Sequence, residues 1–543
     1  MKKLAITMAV LMACSSLLAG CKSQTGTKSS GKVPSALNLT VMSPNFGKSP
    51  AGTDVQKQWQ TEMESYLGCK LNITWNYVPW ADYSTKEQTV EATGSIPDIM
   101  TYASYNYNQS AGNAGILLDI APYIKKKAVS NYQQYINGTP YSQQAIYTSD
   151  GHSWGFLDGM NNSHNDYSAQ SVSTMGIRFD IFKKYNIQMP ETLDELEQAA
   201  LKLKQLFPDV YPINISAKSF TMQFGLAQTF HTSTTVYWNG SKYSYGPEED
   251  NYKAMLQYLN KLYSEKLIDP NFLTDTDDQA TAKAETGKVF ILPSIWAGNV
   301  TVYNQAKKDA SMEWGSMMLP KDSKYGTPWT YLTNKPGKTL QQRFGIEISK
   351  KAPYPDLVVK MLDYQYSDKM SRLCQFGIEG KTYTTDSKGN PQFISSIASA
   401  ANPGLEAEKY GVGASMGVRP GIVFNPQIFD ANLQLITPQP WYHAGKYTSE
   451  NYWTATAEYG GKAAQNPDSI APIINLTKDE QTQKSTAQNS ADTYAQTAAA
   501  KFITGQMNFN SWSSYLSQLN STSQINSAIS KLNEKYKALN TKK

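Results

Sequence analysis

Leu37-Asn38-Leu39-Thr40-Val41 decides the fold of this chain, because its apolar and polar side chains alternate as they do in a β-strand. A helical pattern follows at about 54–67, and a second alternating strand follows at 71–77. Another helical stretch covers about 81–92. Next comes Gly94-Ser95-Ile96-Pro97-Asp98-Ile99-Met100, which is typical of a turn that enters a short buried strand. Strands that alternate with helices predict βαβ units and a largely parallel sheet.

Length and net charge limit the number of lobes and the class of protein to which the chain can belong. Its 543 residues are too many for one hydrophobic core, so we expect at least two lobes. The formal charge is +5, and it falls to +3 if Lys2 and Lys3 leave with a signal peptide. This near balance argues against a nucleic-acid-binding protein, which concentrates basic residues on one face.

The first residues predict a membrane anchor. Lys2 and Lys3 precede a mostly apolar run at 4–18, and Ala19-Gly20-Cys21 follows it. This pattern resembles the signal of bacterial lipoproteins, in which Cys21 would carry the lipid and become the N-terminus. We therefore interpret 1–20 as a signal peptide and 21–35, which is rich in Ser, Thr, Gly and Lys, as a flexible tether. The alternatives are an ordinary secretory signal or an uncleaved anchor.

The aromatic content indicates the kind of site. There are 35 Tyr and 11 Trp residues but only 4 His, and Tyr and Trp suit a wet groove that grips polar ligands. The histidines lack zinc-ligand spacing, and no Asp-rich loop of the calcium-binding type is present. We expect no metal and no cofactor. A carboxylate pair for glycoside hydrolysis stays open, because two such residues need only meet in space.

Several motifs, in a fixed order, resemble family 1 extracellular solute-binding proteins, the substrate-capturing lipoproteins of carbohydrate ABC importers. Each motif alone is weak, but the ordered set spans nearly the whole mature chain. Its length and its Gly-Ile-Glu-Gly motif resemble the large oligosaccharide-binding branch. The motifs are Gly94–Met100, Leu117–Ile124, Trp154–Phe156, Gly176–Asp180, Met189–Leu196, Gly287–Phe290, Gly377–Lys381 and Phe502–Gly505.

The resemblance implies an α/β, two-lobe fold like that of periplasmic binding proteins of type 2, with a hinge between the lobes. The chain would cross between the lobes near 157–172, near 340–346 and within 395–440. Residues 36–160 and 345–400 would form lobe 1, and 173–340 and 405–543 would form lobe 2. Several crossings at a hinge allow closure over a ligand.

The resemblance also implies a set of ligand-binding residues. Trp296 would be the aromatic platform of the second lobe, and Tyr102 would face it from the first. For Arg178, an ion pair between segments is an equal alternative to ligand contact. The full set is Trp296, Tyr102, Asn45, Phe46, Trp154, Asp158, Arg178, Trp329 and Trp441.

The function that we predict from this resemblance is binding without catalysis. A monomeric receptor on the extracytoplasmic face of the cell membrane would close over an oligosaccharide and deliver it to an ABC permease. One alternative is a secreted polysaccharide-active enzyme with a carboxylate pair, and another is a receptor for a non-sugar polar solute such as a peptide. Cys69 and Cys374 could form a disulfide or stay separate, buried thiols.

Overall fold

The structure of the chain is a computed structural model. The predicted signal, the predicted lipidation site Cys21 and most of the predicted tether lie outside the residues that it describes. It describes 33–45, 50–104, 111–137, 144, 146–157, 173–215, 225–275, 277–296, 299–306, 309–329, 344–387, 389–400, 403–412, 438–443, 445–451 and 471–540.

Two five-stranded sheets organise these residues. The strands are β1 (Ala36–Asn45), β2 (Lys70–Pro79), β3 (Ile99–Ser104), β4 (Phe156–Leu157), β5 (Ser173–Arg178), β6 (Val236–Trp238), β7 (Tyr243–Tyr245), β8 (Ile291–Trp296), β9 (Trp314–Met317), β10 (Phe344–Ile348), β11 (Tyr383–Thr385), β12 (Pro391–Phe393), β13 (Pro438–His443) and β14 (Lys446–Asn451).

The first sheet has the order β2-β1-β3-β10-β4. Its strands β1, β2 and β3 are parallel, as the βαβ pattern predicts, whereas β10 runs antiparallel to β3 and β4. The second sheet has the order β14-β13-β9-β5-β8, with β5 antiparallel to both of its neighbours. The pairs β6–β7 and β11–β12 form small separate hairpins.

Helices cover both sheets, and their ends follow from local sequence. At α1 the Thr53 side chain accepts a hydrogen bond from the Gln56 amide, and Gly68 ends the helix at φ 72°, a conformation that favours glycine. Thr192 and Glu195 form the predicted capping box of α6. The helices are α1 (Asp54–Leu67), α2 (Trp80–Ala92), α3 (Ala121–Lys125), α4 (Ser130–Ile136), α5 (Phe179–Lys184), α6 (Leu193–Leu206), α7 (Ala227–Thr229), α8 (Asp250–Ser264), α9 (Asp277–Glu285), α10 (Asn299–Ala306), α11 (Pro355–Gln365), α12 (Asp368–Phe376), α13 (Ser395–Ala398), α14 (Pro403–Glu408), α15 (Lys478–Ile503), α16 (Trp512–Ser523) and α17 (Ile525–Asn540).

Each sheet has its own hydrophobic core, which confirms the prediction of two α/β lobes. One face of the first sheet packs against α1, α4, α11 and α12, and the second sheet packs against α6, α8 and the C-terminal helices. Among the buried members are Leu39, Ile99, Ile346 and Leu362 in the first core, and Ile177, Leu259, Met317 and Phe502 in the second.

The lobe boundaries stay predictions, but one segment lies differently from the expectation. Residues from 405 onward were assigned to the second lobe, whereas Ala407 and Val412 are buried in the first core. The reason is a tertiary contact, because the Tyr410 carbonyl accepts a 3.0 Å hydrogen bond from the Val55 amide at the start of α1. The chain therefore passes to β13 only after residue 412.

Residues 471–477, which we call the linker, contact both lobes. Asn475 donates a 2.7 Å hydrogen bond to the Tyr147 carbonyl, and Ile473 packs against the first core. On the other side, the Tyr243 hydroxyl donates to the Pro472 carbonyl in the second lobe. This contact was not expected from the sequence. In the part of the chain that the structure describes, no helix is apolar and long enough to cross a membrane.

Candidate ligand-binding site

The carboxyl ends of the parallel strands lie at one edge of the first sheet. The parallel strands β1, β2 and β3 end there at Asn45, Pro79 and Ser104. At the same edge β10 begins, because Phe344 pairs with Ser104, and β4 ends, because Leu157 pairs with Gly345. Ligands of open α/β sheets bind outside the carboxyl ends of parallel strands, so this edge is the candidate floor of a cleft.

The matching edge of the second sheet is defined by the start of β5. Ser173 pairs with Trp296 at the end of β8, and Met175 pairs with Met317 at the end of β9. Residues 158–172 join Leu157 directly to Ser173, and 330–343 join the segment after β9 to Phe344. Two segments of the chain thus connect these two edges, and we expect the candidate cleft between them.

Trp329 provides a flat aromatic surface just before the segment that connects the second sheet to β10. It is the last described residue before the crossing at 330–343, and its ring stacks on His231 with centroids 4.1 Å apart and planes 9° apart. The Trp329 amide donates a 3.0 Å hydrogen bond to the Gln228 carbonyl, which fixes the backbone beneath the ring. Trp329 is half-buried, so part of its surface stays available to a ligand. Such a face suits the C–H surface of a sugar ring.

His231 supports this aromatic surface and is held in place by its own contacts. Its Nε2 lies 2.9 Å from the Thr327 carbonyl oxygen, in the segment that leads to Trp329. Burial lowers the pKa of His231 below its ordinary value, although the contact with Thr327 acts in the opposite direction. The imidazole is therefore neutral at physiological pH, and a neutral ring stacks on indole without a desolvated charge. Sequence reasoning missed His231, because no metal or catalytic spacing marks it.

Trp154 lies in the first lobe, three residues before the end of β4. Its ring stacks on His152 at 4.8 Å and covers Gly112, where an added Cβ would approach the indole to 2.2 Å. Only glycine therefore fits at 112. Trp154 thus precedes β4, which ends at the cleft edge with Leu157.

Asp119 anchors the His152 side of this stack. Its carboxylate lies 2.8 Å from His152 Nδ1 and accepts 3.0 Å hydrogen bonds from the backbone amides of Ala121 and Ser153. Burial acts to raise the pKa of Asp119, but the hydrogen bond from His152 and those from the two amides outweigh it, so the pKa lies below its usual value. The carboxylate thus positions the loop that carries Trp154.

The family of the chain is decided by comparison with known proteins. The family described as Bacterial extracellular solute-binding protein matches residues 53–371, which is more than half of the chain. The chain belongs to this family. The matched span contains the cleft-edge ends of β2, β3, β5, β8 and β10 and both described aromatic stacks, whereas β1 precedes it.

The similar proteins agree with this assignment. This solute-binding protein is 26% identical over 290 residues to Lipoprotein LipO of Bacillus subtilis (strain 168), which covers 50% of this chain and 51% of LipO. It is 26% identical over 313 residues to the polygalacturonan/rhamnogalacturonan-binding protein YtcQ of the same strain, with 54% and 56% covered. The chain thus spans about half the length of the curated relatives that it matches.

Structural similarity extends over almost the whole chain. The Streptococcus pneumoniae ABC-transporter substrate binding protein FusA, solved as an EF-hand mutant in complex with fructo-nystose, superimposes with a TM-score of 0.68. The match covers 94% of this solute-binding protein and 100% of the FusA chain, at 15% sequence identity. At that identity the likeness shows the fold, and it confirms the predicted two-lobe architecture.

Two aromatic side chains that were expected at the ligand lie inside the protein instead. Tyr102 is 9% exposed and packs beneath α2 with Met42 and Tyr83, because its backbone adopts φ 58° just before the strand ends. Trp441 is 1% exposed inside the second sheet. Both rings are thus buried in this structure, which differs from the exposed ligand platforms that were expected, and a ligand contact by either stays a prediction.

Arg178 forms an ion pair, which was the alternative to ligand contact, but its partner Asp180 lies only two residues away in sequence. Its guanidinium donates to both carboxylate oxygens of Asp180, from Nε at 2.8 Å and from Nη2 at 2.7 Å. It also lies 6.0 Å from the ring centroids of Phe290 and Trp314, within cation–π range. Only 5% of the Arg178 side chain is exposed, and its guanidinium is held within the second lobe by these contacts.

The remaining expected site residues are placed only in part. Asn45 is the last residue of β1, is half-buried and lies at the cleft edge. The backbone of Trp296 ends β8 at the matching edge, but its side chain lies outside the described residues. Phe46 and Asp158 also lie outside them.

The two cysteines of the body of the chain do not form a disulfide in this structure. Cys69 and Cys374 are both buried and both free. Burial raises the pKa of the Cys374 thiol to about 12, so it is protonated and unreactive at physiological pH.

Among the described residues no group of three or more His, Cys, Asp or Glu side chains is arranged to hold a metal ion.

Proposed function

We propose that this solute-binding protein captures an oligosaccharide between its two lobes and delivers it to an ABC permease. The observation that carries the proposal is the stacked Trp329–His231 pair, which directly precedes a segment that connects two separately packed sheets. Lobes with separate cores can rotate as bodies about such crossings. A ligand that binds both edges would stabilise the closed arrangement.

The ligand class follows from the residues at the two edges. Trp329 and Trp296 would stack on sugar rings from the second lobe, while Asn45 and backbone groups at the ends of β1 and β3 would meet hydroxyl groups. The printed names of similar proteins support a sugar, since YtcQ is named for two pectic polysaccharides and FusA was solved with fructo-nystose. Phe46, Trp154 and Asp158 remain proposed as further contacts.

The chain would work on the outer face of the cell membrane. The Ala19-Gly20-Cys21 motif would place a diacylglyceryl group on Cys21, and residues 21–35 would let the body reach a permease. The name of LipO, a lipoprotein, supports this part of the proposal. A monomer is enough for it, since each chain holds both halves of the cleft.

A thermal-shift screen of the mature chain tests the ligand class. Pectic and fructan oligosaccharides form the main panel, and short peptides form the contrasting one. A ligand at about 100 times its Kd stabilises the folded state by about 2.7 kcal/mol, which raises the melting temperature measurably. We expect stabilisation by at least one oligosaccharide. Stabilisation by peptides alone would contradict the proposal, as would release of shorter sugars from the panel.

Calorimetry on one variant then locates the site. Trp329→Ala should weaken binding of the identified sugar by about tenfold or more, because a central aromatic anchor is lost. Tyr354→Ala is the control, since this exposed tyrosine follows β10 at the end away from the cleft edge. Equal affinity of Trp329→Ala and the unmodified chain would show that the ligand lies elsewhere.

A further inference from the structure

A groove in the C-terminal helices is separate from the cleft edges. It has a volume of about 710 Å³ and lies between α15 and α17, with the junction of α16 and α17 at one end. At its other end it begins at Leu476, in the linker that contacts both lobes. Ligand sites in proteins commonly have volumes of about 300–1,000 Å³.

The lining of the groove differs from that of a sugar-stacking cleft. None of the described residues that line it is aromatic, and hydroxyl and amide side chains predominate. The Ser527 and Ser530 hydroxyls line it and have no hydrogen-bond partner among the described residues. Hydroxyls of this kind can donate to or accept from a polyhydroxylated ligand.

The four charged residues that line the groove are not all paired with one another, although two are basic and two are acidic. Glu480 is paired with Lys535 and lies 3.8 Å from Lys531, and Lys531 also lies 3.6 Å from Glu534. Lys484 lines the same groove, and no described carboxylate lies within 4.0 Å of its ammonium group. The groove therefore holds one positive charge without a carboxylate partner.

Lys484 lies in surroundings that favour an anion. Burial lowers the pKa of its ammonium group, and the negative charge of Asp492 opposes this shift only from a distance. Placing a lysine in such a position is costly unless a counter-charge is present. An oxyanion in the groove would supply that charge and form a charge-assisted hydrogen bond.

We propose that the groove between α15 and α17 is a second binding site, specific for a small polyhydroxylated anion, with Lys484 as its charge partner. The anionic group is a carboxylate, as in a sugar acid, or a phosphate, as in a sugar phosphate. Both offer oxygens to Lys484 and hydroxyls to the serines of α17. This site is independent of the oligosaccharide cleft.

Isothermal titration calorimetry on the mature chain tests the proposal, with gluconate, glucose 6-phosphate and glucose as probes. We expect saturable binding of at least one anion and none of neutral glucose. The two anions distinguish a carboxylate from a phosphate ligand. Equal binding of glucose, or no saturable binding of either anion, would overturn the proposal.

Variants at Lys484 then locate the anion. Lys484→Gln should weaken anion binding by about tenfold or more, as expected for the loss of a hydrogen bond to a charged group, while Lys484→Arg should retain it. Lys478→Gln is the matched control on the same helix, at an exposed position outside the groove. Unchanged oligosaccharide binding in Lys484→Gln would show that the variant is folded. Full anion affinity in that variant would place the anion elsewhere and refute the groove site.

Discussion

The Arg178–Asp180 pair shows how one residue's partners decide its role. Asp180 accepts two hydrogen bonds from the guanidinium and a third, of 3.1 Å, from the Glu313 amide. The pair thus joins β5 to the start of β9 through backbone and side chain together. Because Arg178 is buried, its charge depends on this carboxylate for compensation.

Asp180→Asn should therefore lower the free energy of unfolding by about 3 kcal/mol, because it leaves a buried guanidinium without a counter-charge. Urea denaturation measures this loss. Asp209→Asn, at an exposed position, is the control and should change stability little. Sugar affinity should stay unchanged in both variants at temperatures where they are folded. A large loss of affinity in folded Asp180→Asn would favour the ligand-contact role for Arg178.

At the scale of elements, α2 and β10 bring carboxyl groups together in a buried place. Glu347 is fully buried on the face of the first sheet that α2 covers, and neither of its carboxyl oxygens has a hydrogen-bond partner among the described residues. Glu87 and Glu91 face it from α2. Burial raises the pKa of Glu347 well above its usual value, and the charges of Glu91 and Glu87 raise it further. Burial, with Glu87, also raises the pKa of Glu91 to about 7.

The direction of the pH effect follows from these shifts. A carboxyl whose pKa is higher in the folded state keeps its proton there, while the unfolded chain loses it above about pH 4.5. Stability should therefore fall as pH rises through the window from about 4.5 to 7 and above, by up to about 1.4 kcal/mol per pH unit for one group.

Glu347→Gln should flatten this dependence and stabilise the protein at pH 8, because glutamine needs no proton to be buried. Melting temperatures measured from pH 5 to pH 8 check this. Asp82→Asn, an exposed change on the same α2 helix, should leave the slope as it is. A Glu347→Gln variant with the same slope as the unmodified chain would show that the carboxyl is not the titrating group.

At the scale of the whole molecule, each lobe has its own hydrophobic core, and the linker contacts both lobes. The Asn475–Tyr147 bond and the Tyr243–Pro472 bond attach the linker to different lobes. A rotation between the lobes must therefore be absorbed in such connecting segments and not in the sheets.

Binding of the oligosaccharide should consequently reduce the radius of gyration without changing secondary structure. Small-angle X-ray scattering with and without the sugar measures the first quantity, and far-ultraviolet circular dichroism measures the second. The Trp329→Ala variant at the same sugar concentration is the control, and its radius of gyration should stay at the value of the sugar-free protein. An unchanged radius at saturating sugar would contradict capture by lobe closure.

The local elements of this fold were predictable from sequence because neighbouring residues encode them. The alternation at 37–41 gave β1, and Thr192 with Glu195 gave the start of α6. The order of family motifs then predicted the two lobes, and the family match confirms it. These features depend on periodicity and capping over a few residues.

The exposure of individual side chains was decided only by the tertiary structure. Tyr102, Trp329 and Trp441 were all expected at the ligand from sequence, yet Tyr102 and Trp441 are buried and only Trp329 is partly exposed. The burial of Glu347 beneath α2 and the position of Lys484 in the groove likewise depend on segments distant in sequence. Sequence pattern sets which residues can form an element, whereas the packing of distant elements decides which of them reach a ligand, because burial is a property of the assembled surface.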